Sequence, residues 1–275
     1  MQVLGDPEDT LNKLVSWFRR YDSCVVSFSA GVDSSLLALC AKSALGDRSF
    51  AVTSISPSFS ESERNAAIRI ASEIGIELLV VSQDDLGTEG YVNNGVNRCY
   101  FCRNNLANGI MPIAKRLSVS VCVDGTHVDD MHSPRPGIKA LREAGFKAPF
   151  VELGLGKESI RAIARFAGLS NWDRASEACL SSRVAFGQRI DLPTLRLIEE
   201  AENFVKENTG AKVVRVRTIA KKASVEVDKD SLNVAFSQLT VIENRLKALG
   251  YKDVAIDPNG YTTGKMLDLF VKENV

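Results

Sequence analysis

Small and hydroxyl side chains follow a short apolar run in the segment Val26-Ser-Phe-Ser-Ala-Gly-Val-Asp-Ser-Ser-Leu36. The apolar residues suit a buried strand, and the residues after Gly31 suit a helix. A loop of small residues at such a junction lets backbone N–H groups turn toward an anion, and the helix N-terminus adds positive dipole there. A tight turn in any α/β protein would explain the glycine but not the combination of Ser29, Asp33, Ser34 and Ser35. The segment therefore predicts a phosphate-binding loop.

Cysteines form a second group of residues that could do chemistry. Cys99 and Cys102 have the C-x-x-C spacing that suits a metal ion, a cluster edge or a redox disulfide, and Cys179 supplies a third thiol. Three thiols without a fourth suit a [4Fe–4S] cluster with one open iron, which could bind a hydrosulfide; structural or redox thiols are the alternative. The other cysteines lie in apolar runs and are predicted to be core residues: Cys24, Cys40 and Cys122.

Two arginines, Arg215 and Arg217, lie at positions i and i+2 of a predicted strand. Side chains with this spacing point to the same face of a strand, so both guanidinium groups could hold one phosphate through several N–H donors. A solvated strand face is the alternative interpretation.

The N-terminal part must place the loop and the first cysteines. Its predicted strands are 24–28, 50–55, 77–82 and 119–123, and its clearest predicted helices are 11–20, 34–43 and 61–74. Alternating strands and helices predict an α/β fold with a doubly wound, mostly parallel sheet, in which ligands bind at the carboxyl ends of the strands. We assign residues 1–185 to this domain.

The pattern changes in residues 186–275. Predicted helices at 192–208 and 230–249 alternate with predicted strands at 212–218, 223–227 and 253–257. This order predicts a second, smaller α+β domain with helices on one face of an antiparallel or mixed sheet.

Length and composition agree with two globular domains. The chain has 275 residues, which is at the upper limit for one hydrophobic core, and no apolar run approaches the roughly 20 residues of a membrane span. Lys+Arg and Asp+Glu number 34 each, so no net field favours nucleic acid or an anionic membrane. The N-terminal segment lacks the layout of a signal peptide, and the six cysteines are therefore expected as free thiols in a reducing cytoplasm.

The segment Ser29-Ala-Gly-Val-Asp-Ser34 resembles the S-G-G-x-D-S loop of the PP-loop ATP pyrophosphatases, with Ala30 in place of the first glycine. It lacks the lysine of a Walker A loop. The resemblance implies a PP-loop (adenine nucleotide alpha hydrolase-like) fold that cleaves ATP between the α and β phosphates with Mg²⁺, and it implies that Asp33 and Ser34 are catalytic. The ATP-binding residues that we expect are Ser29, Ala30, Gly31, Val32, Asp33, Ser34, Ser54, Asp124, Gly125 and Thr126.

Further motifs narrow the resemblance. In order along the chain they are Arg98-Cys-Tyr-Phe-Cys102, Asp124-Gly-Thr-His-Val-Asp-Asp130, Pro134-Arg-Pro-Gly-Ile-Lys139, Ala178-Cys-Leu-Ser-Ser-Arg183, Val214-Arg-Val-Arg217 and Gly260-Tyr261. Over nearly the whole chain this combination resembles the LarE-like sulfur transferases. It implies adenylation of a carboxylate of pyridinium-3,5-biscarboxylic acid mononucleotide, conversion to a thiocarboxylate, and a role in biosynthesis of the nickel-pincer nucleotide cofactor.

The resemblance also assigns roles to residues. The residues expected to bind substrate are Arg135, Ser182, Arg183, Glu202, Arg215 and Arg217. LarE-like proteins obtain sulfur either from a sacrificed cysteine or through a [4Fe–4S] cluster held by three cysteines. The sacrificial position corresponds to Ala178 here, so the cluster route is favoured, with Cys99, Cys102 and Cys179 as ligands and Cys179 also catalytic.

Other functions remain open at this point. A PP-loop tRNA thiolase would share the ATP chemistry and the cysteines, although this neutral chain has no evident RNA-binding module. A non-catalytic adenine-nucleotide sensor would need only the loop, and an ammonia-dependent amidating synthetase would leave the cysteines unused. The expected partners are a small nucleotide substrate and further copies of the chain; membrane and nucleic-acid partners are not expected, and the sulfur donor is left open.

Overall fold

The computed structural model describes residues 5–132, 135–174 and 178–262, and the chain divides into two compact units. The first unit comprises Met1–Asp85 and Cys99–Ser176, and the second comprises Leu86–Arg98 and Glu177–Val275. Residues on both sides of the domain boundary proposed after residue 185 therefore belong to the second unit.

Eleven α-helices, four short 3₁₀ helices and seven strands are formed by the described residues. The helices are α1 (Pro7–Phe18), α2 (Val32–Leu45), α3 (Glu61–Ile74), α4 (Glu89–Val92), α5 (Arg98–Arg116), α6 (Pro136–Glu143), α7 (Pro149–Glu152), α8 (Lys157–Phe166), α9 (Leu192–Thr209), α10 (Leu232–Ser237) and α11 (Leu239–Leu249). The strands are β1 (Cys24–Ser27), β2 (Ser49–Ile55), β3 (Glu77–Ser82), β4 (Val121–Val123), β5 (Val214–Ile219), β6 (Lys222–Val227) and β7 (Asp253–Ile256).

The first unit contains a four-stranded parallel sheet in the order β3-β2-β1-β4. Successive side chains of β1 point to opposite faces: Val26 packs in a core with α1, α2, α3 and α8, whereas Val25 packs with α5. Helices therefore cover both faces, which confirms an α/β fold consistent with the PP-loop class. The carboxyl ends of all four strands lie at one edge of the sheet, where β1 leads into the loop before α2.

The second unit contains the mixed sheet β5-β6-β7, in which β5 and β6 are antiparallel and β6 and β7 are parallel. Apolar side chains of α9, α10 and α11 pack against it, for example Val205, Ala235 and Leu246. The single helix expected over 230–249 is wrong: it is two helices, because the backbone leaves helical geometry at Gln238, which has φ −98° and ψ 8°.

None of the helices built from the described residues combines the length and the apolar character needed to cross a bilayer.

Candidate functional site

Residues 29–34 comprise the end of the loop after β1 and the first turn of α2, a junction that suits an anion, and we call this segment the phosphate loop. Gly31 caps α2 in an extended conformation, so the first N–H groups of this helix face the loop. Ser34 Oγ accepts the Ser29 backbone N–H at 3.2 Å, and it lies 3.3 Å from Ser29 Oγ. The two serines therefore stand side by side at the helix N-terminus.

Ala30, which replaces a family glycine, has a φ of 55°. This left-handed conformation costs an L-residue roughly 1–2 kcal/mol relative to glycine. The amide of Asn171 in the same unit donates to the Ala30 carbonyl and to Ser35 Oγ, each at 2.9 Å. Asn171 thus helps to hold a strained turn in which the alanine methyl is fully buried.

Lys157 is a residue of this site that the sequence analysis missed. Its Nζ lies 2.6 Å from both carboxylate oxygens of Asp33, although 124 residues separate the two in the chain. A cation at the first position of a helix is unfavourable because it opposes the helix dipole. A lysine at this position is therefore the feature of the sequence that could have pointed to a role for Lys157. The ammonium group places positive charge beside the phosphate loop.

The segment after β4 meets the same loop. A Cβ on Gly125 would lie 3.0 Å from Asp33 Cβ and 3.4 Å from the Ser34 nitrogen, so this close approach favours glycine. Asp124 is buried and accepts the backbone N–H of Thr126 at 2.8 Å. Burial raises the pKa of the Asp124 carboxyl, and the hydrogen bonds from Thr126 oppose that shift. Both predicted parts of the ATP site are therefore brought together by adjacent strands.

A polar network begins at the end of β2 and leads to one of the cysteines. Ser54 Oγ donates to Gln83 Oε1 at 2.7 Å, and Gln83 Nε2 donates to Asp85 Oδ1 at 2.6 Å and to the Cys102 carbonyl at 3.0 Å. The Cys102 thiol lies 4.0 Å from Asp85 Oδ2. Burial raises the pKa of Asp85, and hydrogen bonds from Gln83 and Asn105 counteract that effect. The predicted ATP residue Ser54 and Cys102 thus share partners.

The cysteines divide into the two groups expected from the sequence. Cys24, Cys40 and Cys122 are buried, as predicted, and burial raises the pKa of each thiol, that of Cys122 to about 11. Cys99 is exposed and Cys102 is half-buried, one turn apart at the start of α5, and half-buried Cys179 belongs to the second unit. Only this second group offers accessible thiols. Among residues 5–132, 135–174 and 178–262, no three His, Cys, Asp or Glu side chains are grouped to hold a metal ion.

In the second unit, arginine side chains hold the backbone that carries Cys179. Arg183 Nη1 donates to the carbonyls of Ala178 and Cys179, the latter at 2.8 Å. Arg98 Nη1 donates to the Ser181 carbonyl at 2.9 Å, and Arg217 Nη1 donates to the Ser182 carbonyl at 3.1 Å. Three guanidinium groups therefore fix the segment 178–183 by its carbonyl oxygens. The sequence analysis names Arg98 only as part of a motif and does not predict this role for it.

Glu202 accepts two hydrogen bonds from Arg183, at 2.8 Å from Nε and 2.9 Å from Nη2. The side chains are 12% and 4% exposed, respectively, so this bidentate ion pair is largely removed from water. Glu202 Oε1 also accepts the Val216 backbone N–H at 2.9 Å, which connects α9 to β5. These contacts give both predicted substrate-binding residues a clear structural role; their contact with substrate stays a prediction.

Arg215 and Arg217 lie on one face of β5, as their spacing predicts, but both are buried and engaged within the protein. Arg217 Nε donates to Glu226 Oε2 at 3.1 Å, and the Arg215 guanidinium lies 5.3 Å from the ring centre of Tyr261. Burial lowers the pKa of Arg215, and the positive charge of Arg183 adds to that effect. The alternative interpretation, a solvated strand face, is therefore wrong, while phosphate binding stays a prediction.

The remaining predicted substrate residues, Arg135 and Ser182, belong to different units of the chain. Arg135 is in the first unit, where its Nη1 lies 2.5 Å from Asp130 Oδ1 and its side chain is 54% exposed. Pro134 of the same motif lies outside the described residues. Ser182 is in the second unit, where its Oγ accepts from Arg183 Nη1 at 3.2 Å.

Known proteins resemble the chain along most of its length. An uncharacterized protein of Synechocystis sp. is 32% identical over 267 residues, which cover 96% of this chain and 99% of that protein. The pyridinium-3,5-bisthiocarboxylic acid mononucleotide synthase of Lactiplantibacillus plantarum is 28% identical over 260 residues, 94% of each chain. An uncharacterized protein of Methanocaldococcus jannaschii is 28% identical over 233 residues, which cover 85% of this chain and 88% of that protein.

No protein-family model matches the chain. The first two of these relatives each match 94% or more of the chain, and the named synthase among them is the LarE enzyme. The chain therefore belongs to the LarE-like family.

Proposed function

We propose that the protein is an ATP-dependent sulfur transferase that acts on pyridinium-3,5-biscarboxylic acid mononucleotide. A substrate carboxylate oxygen attacks the α-phosphorus of ATP, and pyrophosphate leaves. A sulfur nucleophile such as hydrosulfide then attacks the acyl carbon, and AMP leaves with the bond electrons. The product is a thiocarboxylate. The named synthase among the relatives supports the substrate, and the phosphate loop supports the first step.

The observation that carries the proposal is the arrangement around the loop. Helix N–H groups, Ser29 and Ser34 offer donors to phosphate oxygens, while Asp33 and Lys157 lie within 2.6 Å of each other beside them. Preorganised donors of this kind stabilise charge that develops on a leaving pyrophosphate. The Asp33 carboxylate is suited to Mg²⁺, which prefers oxygen ligands and commonly bridges protein carboxylates and phosphates.

The sulfur source that we propose is a [4Fe–4S] cluster held by Cys99, Cys102 and Cys179. These are the accessible thiols among the described cysteines, whereas burial raises the pKa of the other three and disfavours the thiolate form that metals bind. When bound, the cluster would supply an open iron able to hold hydrosulfide. Arg98, Arg183 and Arg217 hold the backbone around Cys179 in place for that role.

Release of pyrophosphate in the presence of the mononucleotide substrate tests the ATP step. Asp33→Asn and Ser34→Ala should each lower the rate at least tenfold, because each removes a polar group next to the leaving phosphates. Asp47→Asn and Ser43→Ala are matched controls, since both side chains are exposed at the opposite end of α2. Full activity of both loop variants would contradict the proposal.

Iron analysis and intact mass, measured on protein purified without oxygen, test the sulfur source. Cys→Ser changes at Cys99, Cys102 or Cys179 should abolish the brown colour and sulfur transfer but leave adenylation intact. Cys122→Ala, the control, should keep the brown colour, sulfur transfer and adenylation. An iron-free protein that completes one turnover and becomes about 34 Da lighter would instead support sacrifice of a cysteine, since loss of H₂S leaves dehydroalanine.

A further inference from the structure

We propose that Asp129 is a positioning residue that acts through Lys157: its carboxylate sets the N-terminus of α8 so that the Lys157 ammonium meets Asp33 of the phosphate loop. The inference rests on the proposed function, because its consequence is the affinity of the loop for the phosphates of ATP. All the residues concerned belong to the first unit.

Asp129 caps α8 from another segment of the chain. Its Oδ2 accepts the backbone N–H of Lys157, the first residue of this ten-residue helix, at 2.6 Å. The cap residue itself is Gly156, which makes no side-chain cap bond. A Cβ on Gly156 would lie 3.0 and 3.1 Å from the two Asp129 carboxylate oxygens. The glycine therefore leaves the space that the incoming carboxylate occupies.

Contacts of its own chain segment also hold Asp129 in place. It lies in the short 3₁₀ helix Val128–His132 that follows β4, and the Val128 N–H donates to the Leu155 carbonyl at 3.1 Å. The buried imidazole of His127 places Nδ1 3.5 Å from Asp129 Oδ2. The segment after β4, in which Gly125 contacts the phosphate loop, is thus connected to the start of α8 by two hydrogen bonds, one to the Leu155 carbonyl and one from the Lys157 N–H.

The charges explain why this contact matters for Lys157. Both the backbone N–H and the ammonium of Lys157 lie at a helix N-terminus, where the helix dipole repels a cation. Asp129 supplies negative charge to the backbone end, and Asp33 supplies it to the ammonium at 2.6 Å. Without Asp129, the first turn of α8 loses its cap and Lys157 loses the fixed backbone that directs its side chain across to the phosphate loop.

A double-mutant cycle tests this chain of contacts. The probe is α,β-methylene-ATP with Mg²⁺, which is not cleaved between the α and β phosphates, and calorimetry measures its affinity. Asp129→Ala and Lys157→Met should each weaken binding about tenfold, and the double variant should be no more than about twofold weaker than Lys157→Met alone, because residues that act as a unit are not additive. An additive loss of about 100-fold, or normal binding by Asp129→Ala, would overturn the inference.

Two further variants separate positioning from general damage to the fold. Asp129→Asn keeps an oxygen that can accept the Lys157 N–H, so its affinity should stay within about threefold of the wild-type value. Asp47→Ala removes the carboxylate of an Asp–Lys pair at the far end of α2 and should leave binding unchanged. Loss of affinity in Asp129→Asn as large as in Asp129→Ala would contradict a role through the cap.

A readout without ATP keeps the inference apart from the proposed function. Acylation of lysines by acetic anhydride, followed by peptide mass spectrometry, should label Lys157 several-fold faster in Asp129→Ala than in the wild type, with Lys42 as the internal reference. Equal labelling would contradict the positioning of Lys157. The wild-type protein could fail to bind the ATP analogue while Lys157 is still labelled faster in Asp129→Ala than in the wild type. That result would contradict the proposed function and support the positioning of Lys157 by Asp129.

Discussion

Removal of the Glu202 carboxylate should destabilise the second unit strongly. In Glu202→Ala the Arg183 guanidinium, whose side chain is 4% exposed, loses both hydrogen bonds to its counter-ion, and the Val216 N–H loses its acceptor. Breaking a buried ion pair from one side costs about 3–5 kcal/mol. Because Glu202 retains some exposure to water, we expect about 3 kcal/mol, the lower end of that range. Glu202→Gln should lose less, since an amide oxygen can still accept from Arg183.

Urea unfolding measures this loss. With a slope of roughly 2 kcal/mol/M, a change of about 3 kcal/mol lowers the midpoint by about 1.5 M. Both tryptophans, Trp17 and Trp172, belong to the first unit, so far-UV circular dichroism is the signal that includes the second unit, and tryptophan fluorescence reports on the first.

The matched control is the exposed pair of Glu89 and Arg189, also in the second unit, where the side chains are 74% and 60% exposed. Glu89→Ala should leave the midpoint unchanged, because exposed ion pairs contribute little. A midpoint for Glu202→Ala within about 0.3 M of the wild-type value, combined with weaker binding of the mononucleotide, would refute the reasoning and make Glu202 a substrate ligand without a structural role.

Substitutions at three positions, Ala30, Asp85 and Gly125, probe the first unit by urea unfolding. Ala30→Gly should change the free energy of unfolding by less than about 1 kcal/mol, because relief of the positive φ offsets the lost buried methyl, whereas Ala30→Val should cost more than about 2 kcal/mol. Burial raises the pKa of Asp85, so the folded protein binds a proton that the unfolded chain releases above pH about 4. The stability that this bound proton contributes is lost as pH rises through the folded pKa. Asp85→Asn has no such proton to lose, so its free energy of unfolding should rise relative to that of the wild type between pH 4 and pH 7. An equal difference between the two urea midpoints at pH 4 and at pH 7 would contradict this. Gly125→Ala should cost roughly 1–2 kcal/mol, because its methyl would lie 3.0 Å from Asp33 Cβ.

Local patterns were sufficient for much of the first unit. The predicted helix 61–74 and strand 77–82 match α3 and β3, because a capping box of Ser60 and Glu63 starts the helix and Gly75 ends it in a left-handed conformation. The strand, loop and helix around the phosphate loop could also be predicted from the sequence. Such signals depend on residues within a few positions of one another, so a single sequence contains them.

The sequence by itself therefore determined the order of the seven strands, the strand-loop-helix of the phosphate loop, the separation of core cysteines from accessible ones, and the shared face of Arg215 and Arg217. Tertiary structure alone decided which charges meet. Lys157 reaches Asp33 across 124 residues, and Arg183 pairs with Glu202 in α9, because strand order and helix packing bring distant segments together. It also decided that Arg217 is buried against Glu226, since periodicity assigns a side chain to one face of a strand but leaves open what covers that face.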